Sequence, residues 1–230
     1  MSEKEQYYHD PEDVRNMAKS ITPSGYFGAS VDMIQEVENL LSVEEQEYLL
    51  NFIKNNNEWD NSSSNYNENG TVIYDHSIWV DRVITTNNLK SINPKAVEIL
   101  EKAILKLKEK IEKFYNVKAE PSGPAMVRWP VGAMQFPHAD KELHEGPDAG
   151  KPNNFPWYDL GTVFYLNDDY EGGQLYFPLQ EFAIQPKPRA AYFFPGDKNY
   201  IHGVTPVTSG TRYTCPFFWT IKELNIEKND

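Results

Sequence analysis

The chain has 230 residues and a formal net charge of −12 at pH 7. This length suits one large domain with a substantial core, and 40% hydrophobic and 13% aromatic residues exclude a wholly disordered chain. The acidic balance argues against nucleic acid or a membrane surface as a partner. A single cysteine, Cys215, excludes an intramolecular disulfide.

The chain opens with a polar segment. Residues 1–30 contain several turn-forming pairs, which predict a lightly structured arm with one short helix near 11–19. Residues 31–230 are expected to form a single domain. The first residues lack the apolar stretch of a signal peptide, and no later segment reaches transmembrane length. We therefore expect a cytoplasmic protein.

Helical signals dominate the first half. Ser42-Val-Glu-Glu45 has capping-box spacing and predicts a helix over 43–54. Residues 55–70 are rich in Asn, Ser and Gly and predict a loop, while 71–86 predict two strands. Asn93-Pro94 then starts the clearest helix. Its apolar stripe steps by three and four residues through Val97, Leu100, Ile104, Leu107, Ile111 and Phe114.

The pattern changes after residue 117, where helical periodicity ends. Short apolar and aromatic runs then alternate with Gly and Pro turns: AMVRW, LGTVFYL, GGQLYF, AAYFF and TRYTCPFFWTI. Such runs are typical of a β sandwich or barrel. Helices followed by a β half indicate a mainly β fold with flanking helices (α+β), in which the helices pack outside one β core.

Three side chains in the β half have the chemistry of metal ligands. His138 and Asp140 are two residues apart, so an extended segment would point both to one side. His202 is expected at the start of a strand. Two histidines and one carboxylate suit Fe(II) and leave coordination positions open. The HxD pair alone is weak evidence, and His144 is the main rival ligand.

Arg212 lies ten residues after His202, in a segment that is almost wholly apolar and aromatic from Thr211 to Trp219. A buried guanidinium needs an anionic partner, and its planar fork matches a carboxylate. A dicarboxylate co-substrate would supply that partner. Cys215, in the same segment, is expected to be a packing residue.

Taken together, these residues resemble the prolyl 4-hydroxylase-like branch of the 2-oxoglutarate/Fe(II)-dependent dioxygenases. The resemblance is carried in order by RWPVGAMQFPHAD, TVFYLNDDYEGGQLYFP and AAYFFPGDKNYIHGVTPVTSGTRYTCPFFW. VENLLSVEEQEYLLNFI is similar to the helix that opens catalytic domains of this family, so the resemblance covers about residues 36–220. It implies a double-stranded β-helix, or jelly roll, with flanking helices.

The resemblance also implies roles for single residues. His138, Asp140 and His202 would bind Fe(II), and Arg212 would bind the distal carboxylate of 2-oxoglutarate. Three further residues would lie near the co-substrate: Tyr165 as a hydrogen-bonding partner, Trp129 where the family often has a second tyrosine, and Leu175 as a pocket-lining residue. The implied reaction uses O₂, with ascorbate as an optional reductant, and hydroxylates an unactivated C–H bond.

The substrate side departs from the family pattern. The stretch NNFPWYDLG before the YLN strand lacks the arginine that prolyl hydroxylases of this group carry there. Phe218 stands where a tryptophan is usual, and Trp219 follows on the opposite strand face. Peptidyl-proline is the leading substrate hypothesis, with a prolyl 4-hydroxylase-type reaction. The insert at 146–157, GPDAGKPNNFPW, is expected to form a loop beside the iron that shapes substrate entry.

Several alternatives stay open. In the first alternative, the substrate is a free amino acid or another protein side chain. An oxidative nucleic-acid demethylase would share the metal ligands, but it would need a cationic groove. A non-enzymatic jelly-roll binding module with a structural metal is the third. The sequence leaves the oligomeric state undetermined.

Overall fold

A computed structural model describes residues 20–60, 65–66, 72–74, 79–153 and 155–224 of the protein. The short helix expected near 11–19 lies outside the described residues. Three α-helices occur within these ranges: α1 (Val43–Asn55), α2 (Thr86–Ile92) and α3 (Pro94–Tyr115). No helix of the described residues is both long and apolar enough to cross a membrane.

The predicted helices α1 and α3 are confirmed, with the caps that the sequence indicated. The Ser42 hydroxyl accepts from the Glu45 main-chain N–H at 3.2 Å, and the Glu45 carboxylate accepts from the Ser42 N–H at 2.9 Å. Asn93 caps α3 by accepting from the Ala96 N–H at 3.1 Å. Helix α2 was not predicted, because its sequence TNNLKSI is polar and buries only Leu89.

The apolar stripe of α3 ends one residue later than predicted. Phe114 is 41% exposed, whereas Tyr115 is 8% exposed and donates a hydrogen bond to the Met33 carbonyl at 2.6 Å. A helix of 3.6 residues per turn drifts away from a strict alternation of three and four over six turns. The buried face therefore reaches Tyr115 at the last turn.

Fifteen strands are present in the described residues. They are β1 (Gln35–Val37), β2 (Asn65–Tyr66), β3 (Val72–Tyr74), β4 (Val83–Ile84), β5 (Val117–Pro121), β6 (Met126–Trp129), β7 (Gln135–His138), β8 (Leu160–Tyr165), β9 (Glu171–Gly172), β10 (Leu175–Phe177), β11 (Phe182–Ala183), β12 (Ala191–Pro195), β13 (His202–Val204), β14 (Val207–Ser209) and β15 (Arg212–Leu224). The two strands predicted within 71–86 correspond to β3 and β4. The loop predicted over 55–70 is wrong at Asn65–Tyr66, which pairs with β3.

Two sheets form the β core. The larger has the order β1-β12-β8-β15-β6-β4, with β5 also paired to β15, and the smaller has the order β11-β10-β13-β7. All pairings in these two sheets are antiparallel. Two further pairs, β9 with β14 and β2 with β3, lie apart from them. The arrangement is the predicted mainly β core with helices outside it.

Alternation along β8 separates two hydrophobic cores. Phe164 joins an outer core with the helices, whereas its neighbour Tyr165 joins an inner core between the two sheets. The inner core also contains Leu175 and Phe177 from β10, and Phe194 from β12. Because the inner face collects side chains from both sheets, residues distant in sequence meet there, and the candidate site lies at this face.

Residues 20–30, which the sequence assigned to an arm, contact the β core. Thr22 is buried, and its hydroxyl donates to Asp159 at 2.7 Å. The Lys141 ammonium donates to the Thr22 carbonyl at 2.9 Å and forms an ion pair with Asp159 at 3.1 Å. These bonds attach the segment to the chain directly after Asp140.

Candidate active site

The candidate metal ligands come from two neighbouring strands of the smaller sheet. His138 ends β7 and His202 begins β13, and the antiparallel register places the two residues directly opposite each other. Their ring centroids are 4.5 Å apart. Asp140 follows two residues after the end of β7. The expected proximity of His138 and Asp140, and of His202 at a strand start, is therefore observed.

One carboxylate oxygen lies between the two imidazoles. Asp140 Oδ1 is 3.7 Å from His138 Nε2 and 3.6 Å from His202 Nε2. Within the described residues, these three form a group whose ligand atoms all lie within 4.8 Å of one another. His144 is not part of this group and instead has its Nε2 3.6 Å from a Glu145 carboxylate oxygen.

Both histidines are oriented by the main chain. Nδ1 of His138 lies 3.0 Å from the Phe136 carbonyl oxygen, and Nδ1 of His202 lies 3.0 Å from the Tyr200 carbonyl oxygen. A carbonyl only accepts, so Nδ1 of each ring carries the proton, and the unprotonated Nε2 lies on the side of the Asp140 carboxylate, where a metal ion would accept its lone pair. This is the arrangement by which outer hydrogen bonds fix a metal-binding imidazole.

The segment that carries Asp140 is held in place by its main chain. The N–H groups of Asp140 and Lys141 both donate to the Gly196 carbonyl, at 2.9 and 3.1 Å. The Asn153 amide donates to the Asp140 carbonyl at 3.0 Å. In contrast, Asp140 Oδ2 is buried and has no hydrogen-bond partner among the described residues. A buried carboxylate with an unused oxygen fits a metal ligand, since a cation would compensate the burial.

Space for this carboxylate is provided by a glycine on the central strand β8. A Cβ built on Gly161 would lie 2.5 Å from Asp140 Oδ2 and 2.7 Å from a Phe194 ring carbon. The absence of a side chain at 161 is therefore a condition for the observed position of Asp140. Sequence analysis missed Gly161, because nothing in its local pattern marks the contact.

Burial determines the protonation of the three groups. It lowers the pKa of His138 to about 4, with the neighbouring His202 acting in the same direction, and it lowers the pKa of His202 to about 4. Burial also raises the pKa of Asp140 to about 6, which His138 opposes. At neutral pH both imidazoles are neutral and the carboxylate is mainly ionised. This donor set suits a divalent transition metal such as Fe(II).

Arg212 begins β15 at the inner face and is 1% exposed. One of its Nη atoms donates to the Tyr165 hydroxyl at 3.3 Å. Its Nε and Nη1 atoms are buried and have no hydrogen-bond partner among the residues that the structure describes. A buried guanidinium with unused donors is costly, so the geometry fits a site for an anionic ligand such as the distal carboxylate of 2-oxoglutarate.

Trp129 and Leu175 also lie at this inner face. Trp129 pairs with Arg212 across β6 and β15, and its ring centroid is 4.7 Å from the guanidinium carbon. Its indole N–H donates to the Thr214 hydroxyl at 3.1 Å, so Trp129 presents a ring face and not a donor. Leu175 is 1% exposed and belongs to the inner core with Tyr165. The roles predicted for these residues stay predictions, while their proximity is observed.

The insert at 146–157 lies beside the segment that carries Asp140. Besides the bond from Asn153 to Asp140, the Leu143 N–H donates to the Lys151 carbonyl at 2.9 Å, and Glu142 forms an isolated bridge with Pro152. These contacts agree with the predicted loop near the metal ligands.

Aromatic rings continue from the insert to the inner face of β15. Phe155 stacks on Tyr158 with ring centroids 5.2 Å apart, and Tyr158 stacks on Phe218 at 3.9 Å. Phe218 pairs with Gly161 across the strands, so the stack ends next to the Asp140 carboxylate. Trp219 points to the other face and belongs to the outer core, as the strand alternation predicted.

Comparison with known proteins finds similarity in the β half of the chain. Residues 125–220 match the model of the 2OG-Fe(II) oxygenase superfamily. Chicken (Gallus gallus) prolyl 3-hydroxylase 1 is 33% identical over 84 residues, which are 34% of this chain and 11% of that protein. Human prolyl 3-hydroxylase 2 is 33% identical over 97 residues, or 38% of this chain and 13% of that protein. The chain thus spans only a small part of these relatives.

Solved structures share the fold. A collagen prolyl hydroxylase from Paramecium bursaria Chlorella virus-1, solved with 2-oxoglutarate, aligns with a TM-score of 0.56 and 18% identity, covering 84% of this chain and 98% of that one. A Trichoplax adhaerens prolyl hydroxylase, in complex with a hypoxia inducible factor peptide, aligns with a TM-score of 0.55 and 15% identity. The alignment covers 83% of this chain and 84% of that one. The predicted double-stranded β-helix and family resemblance are confirmed.

Proposed function

We propose that the protein is a 2-oxoglutarate- and Fe(II)-dependent dioxygenase that hydroxylates a prolyl residue of a peptide, on the basis that residues 125–220 match the model of the 2OG-Fe(II) oxygenase superfamily. The observation that carries the proposal is the convergence of His138, Asp140 and His202, with ligand atoms within 4.8 Å, at the same inner face as Arg212. Two buried nitrogens of the Arg212 guanidinium have no hydrogen-bond partner in the described part of the chain. A metal site and an anion site at one face are what an iron enzyme with a dicarboxylate co-substrate requires.

In this proposal, iron with 2-oxoglutarate and O₂ supplies the oxidising power that breaks an unactivated C–H bond. The protein holds and shields that chemistry. His138, Asp140 and His202 would bind the iron, with Nε2 of each histidine already aimed at the Asp140 carboxylate. Arg212 and Tyr165 would hold the distal carboxylate and so orient the co-substrate toward the metal.

The inner core would also exclude water from the metal site. Phe194 and Phe177 pack on the His202 ring, with centroids 4.6 and 5.6 Å away. Leu175 and Tyr165 continue this apolar wall toward Arg212. A dry site strengthens the charge interactions of the ligands and limits side reactions.

A prolyl substrate is supported by two lines of observation. The named relatives are prolyl 3-hydroxylases, and the structural neighbours include prolyl hydroxylases. The stack of Phe155, Tyr158 and Phe218 also places half-buried aromatic rings beside the metal ligands, where an apolar five-membered ring would pack well. Because the relatives are 3-hydroxylases, the proposal names the proline ring and leaves the hydroxylated carbon unassigned.

The cofactor assignment is tested by anaerobic titration of the apo-protein with Fe(II) and 2-oxoglutarate, recording the visible metal-to-ligand charge-transfer band. The wild type should develop the band. His138→Ala should lose it, because one of three ligands is missing. Arg212→Met should need far more 2-oxoglutarate, because the distal carboxylate loses its partner. A well-folded wild type without the band would refute the proposal.

The substrate is tested separately with proline-containing peptides, free proline and other free amino acids. Peptide-dependent formation of succinate, together with a gain of one oxygen atom on a proline in the peptide mass spectrum, is expected. Turnover with free amino acids and none with peptides would move the substrate to the amino-acid class. The cytoplasmic location expected from the sequence stays a prediction, which cell fractionation tests.

A further inference from the structure

The ring of Trp129 contacts two guanidinium groups. The Arg82 guanidinium carbon is 4.4 Å from the ring centroid, and that of Arg212 is 4.7 Å from the same centroid. Because both distances share one point, the two carbons are at most about 9 Å apart, the sum of the two. The candidate anion site therefore has a second positive charge nearby, which sequence analysis did not identify.

Main-chain bonds hold Arg82 in this position. It directly precedes β4, where the Arg128 N–H donates to the Arg82 carbonyl at 2.9 Å. The Arg82 Nε donates back to the Arg128 carbonyl at 3.3 Å. The guanidinium then lies against two indole rings, 5.1 Å from the centroid of Trp79 and 4.4 Å from that of Trp129. Cation–π contact with tryptophan favours this placement.

The Arg82 and Arg212 side chains place two positive charges beside one indole ring. Burial, with a contribution from the charge of Arg212, lowers the pKa of Arg82 to about 10, so Arg82 remains charged at neutral pH. Like charges repel strongly in a partly buried site. Arg212 also has two buried nitrogens without hydrogen-bond partners among the described residues. A carboxylate bound at Arg212 would therefore fill these positions and would also be attracted by the charge of Arg82.

We propose that Arg82 is a second cationic residue of the 2-oxoglutarate site, which attracts by its charge the distal carboxylate that Arg212 binds directly. The inference rests on the proposed function. Trp129 links the two residues, because its ring contacts both guanidiniums while its N–H donates to Thr214. Arg82 thereby contributes to the preference for a dicarboxylate over a monocarboxylate 2-oxo acid.

The experiment compares two co-substrates of equal chain length. The anaerobic charge-transfer titration with Fe(II) is run with 2-oxoglutarate and with 2-oxopentanoate, which lacks the distal carboxylate. Arg82→Met should weaken 2-oxoglutarate binding about tenfold and leave 2-oxopentanoate binding within about twofold. Arg82→Lys keeps the charge and should retain most of the affinity. The loss in Arg82→Met should shrink as salt is added.

Arg128 offers a matched control on the paired strand. Its guanidinium lies over the Trp59 ring at 4.0 Å, and its Nε donates to the Asp81 carbonyl at 2.7 Å. Arg128→Met therefore removes the same formal charge from the same pair of strands without removing a contact to Trp129. It should bind 2-oxoglutarate as the wild type does.

The possible outcomes separate this inference from the proposed function. Unchanged 2-oxoglutarate affinity in Arg82→Met refutes the inference alone, as does an equal loss for both 2-oxo acids, which would indicate a purely structural residue. A raised KM for the peptide with unchanged 2-oxoglutarate affinity also refutes it and assigns Arg82 to substrate contact. A wild type without the band overturns both proposals. If Arg82→Met does not fold, Arg82→Gln supplies the neutral variant.

Discussion

Gly161→Ala is expected to impair metal binding more than folding. The added methyl group would lie 2.5 Å from Asp140 Oδ2, whereas ordinary contact begins near 3.4 Å. Relieving the contact displaces the carboxylate by about 1 Å, several times the roughly 0.2 Å within which metal–ligand distances are held. Fe(II) affinity should fall about 10- to 100-fold. Overpacking against Phe194 should cost about 1–3 kcal/mol of unfolding free energy.

The assay has a matched control elsewhere in the fold. A Cβ on Gly123 would lie 2.5 Å from the Thr86 hydroxyl oxygen and 2.6 Å from its methyl carbon, at the start of α2 and outside the candidate metal site. Gly123→Ala thus creates similar crowding without touching a metal ligand. Fe(II) affinity is measured by competition with a chromophoric chelator, and stability by urea unfolding of the apo-proteins.

The two variants should differ in affinity and agree in stability. Both should lose unfolding free energy, while only Gly161→Ala should lose Fe(II) affinity. If Gly161→Ala binds Fe(II) as tightly as Gly123→Ala does, then Asp140 is free to move or is not a ligand. Either result would refute the argument that Gly161 fixes the position of a metal-binding carboxylate.

The remaining predictions concern stability and use the same unfolding assay. Ser42→Ala removes one half of the capping box and should cost about 1 kcal/mol, without effect on Fe(II) affinity; a loss above about 2 kcal/mol would indicate a larger role. Lys141→Met leaves the Asp159 carboxylate buried without its ion pair and should cost about 3–5 kcal/mol, and a loss below 1 kcal/mol would contradict this. Trp219→Phe removes the 2.8 Å bond to Thr162 and should cost about 1–2 kcal/mol, while an unchanged midpoint would show that the bond contributes nothing.

Much of the fold was predictable because the relevant signals are local. The capping box at Ser42, the Asn93-Pro94 helix start and the alternation of β15 each depend on neighbours within a few residues. Helix α2 escaped prediction because a short polar helix held by one buried leucine has no periodic pattern. The burial of Tyr115 in place of Phe114 was not predicted, because the buried face of a helix rotates gradually away from a fixed three-and-four spacing over several turns.

Single residues of the candidate site were predictable from the sequence, whereas most contacts between them were not. The two-residue spacing of His138 and Asp140 placed them together, and an arginine among apolar residues marked Arg212 as needing an anion. Trp129 was noted for its position, but its contact with a second guanidinium was not foreseen. Arg82 lies 47 residues before Trp129 in the chain and carries no motif of its own.

The sequence by itself therefore determined most element types, the chemical character of the ligand set and the need for an anionic partner, because these follow from residue identity and short-range periodicity. Only the tertiary structure decided that Gly161 makes room for Asp140 and that Trp129 contacts both Arg82 and Arg212. Such contacts depend on the register between strands that are distant in the chain. That register is selected by the packing of both cores at once.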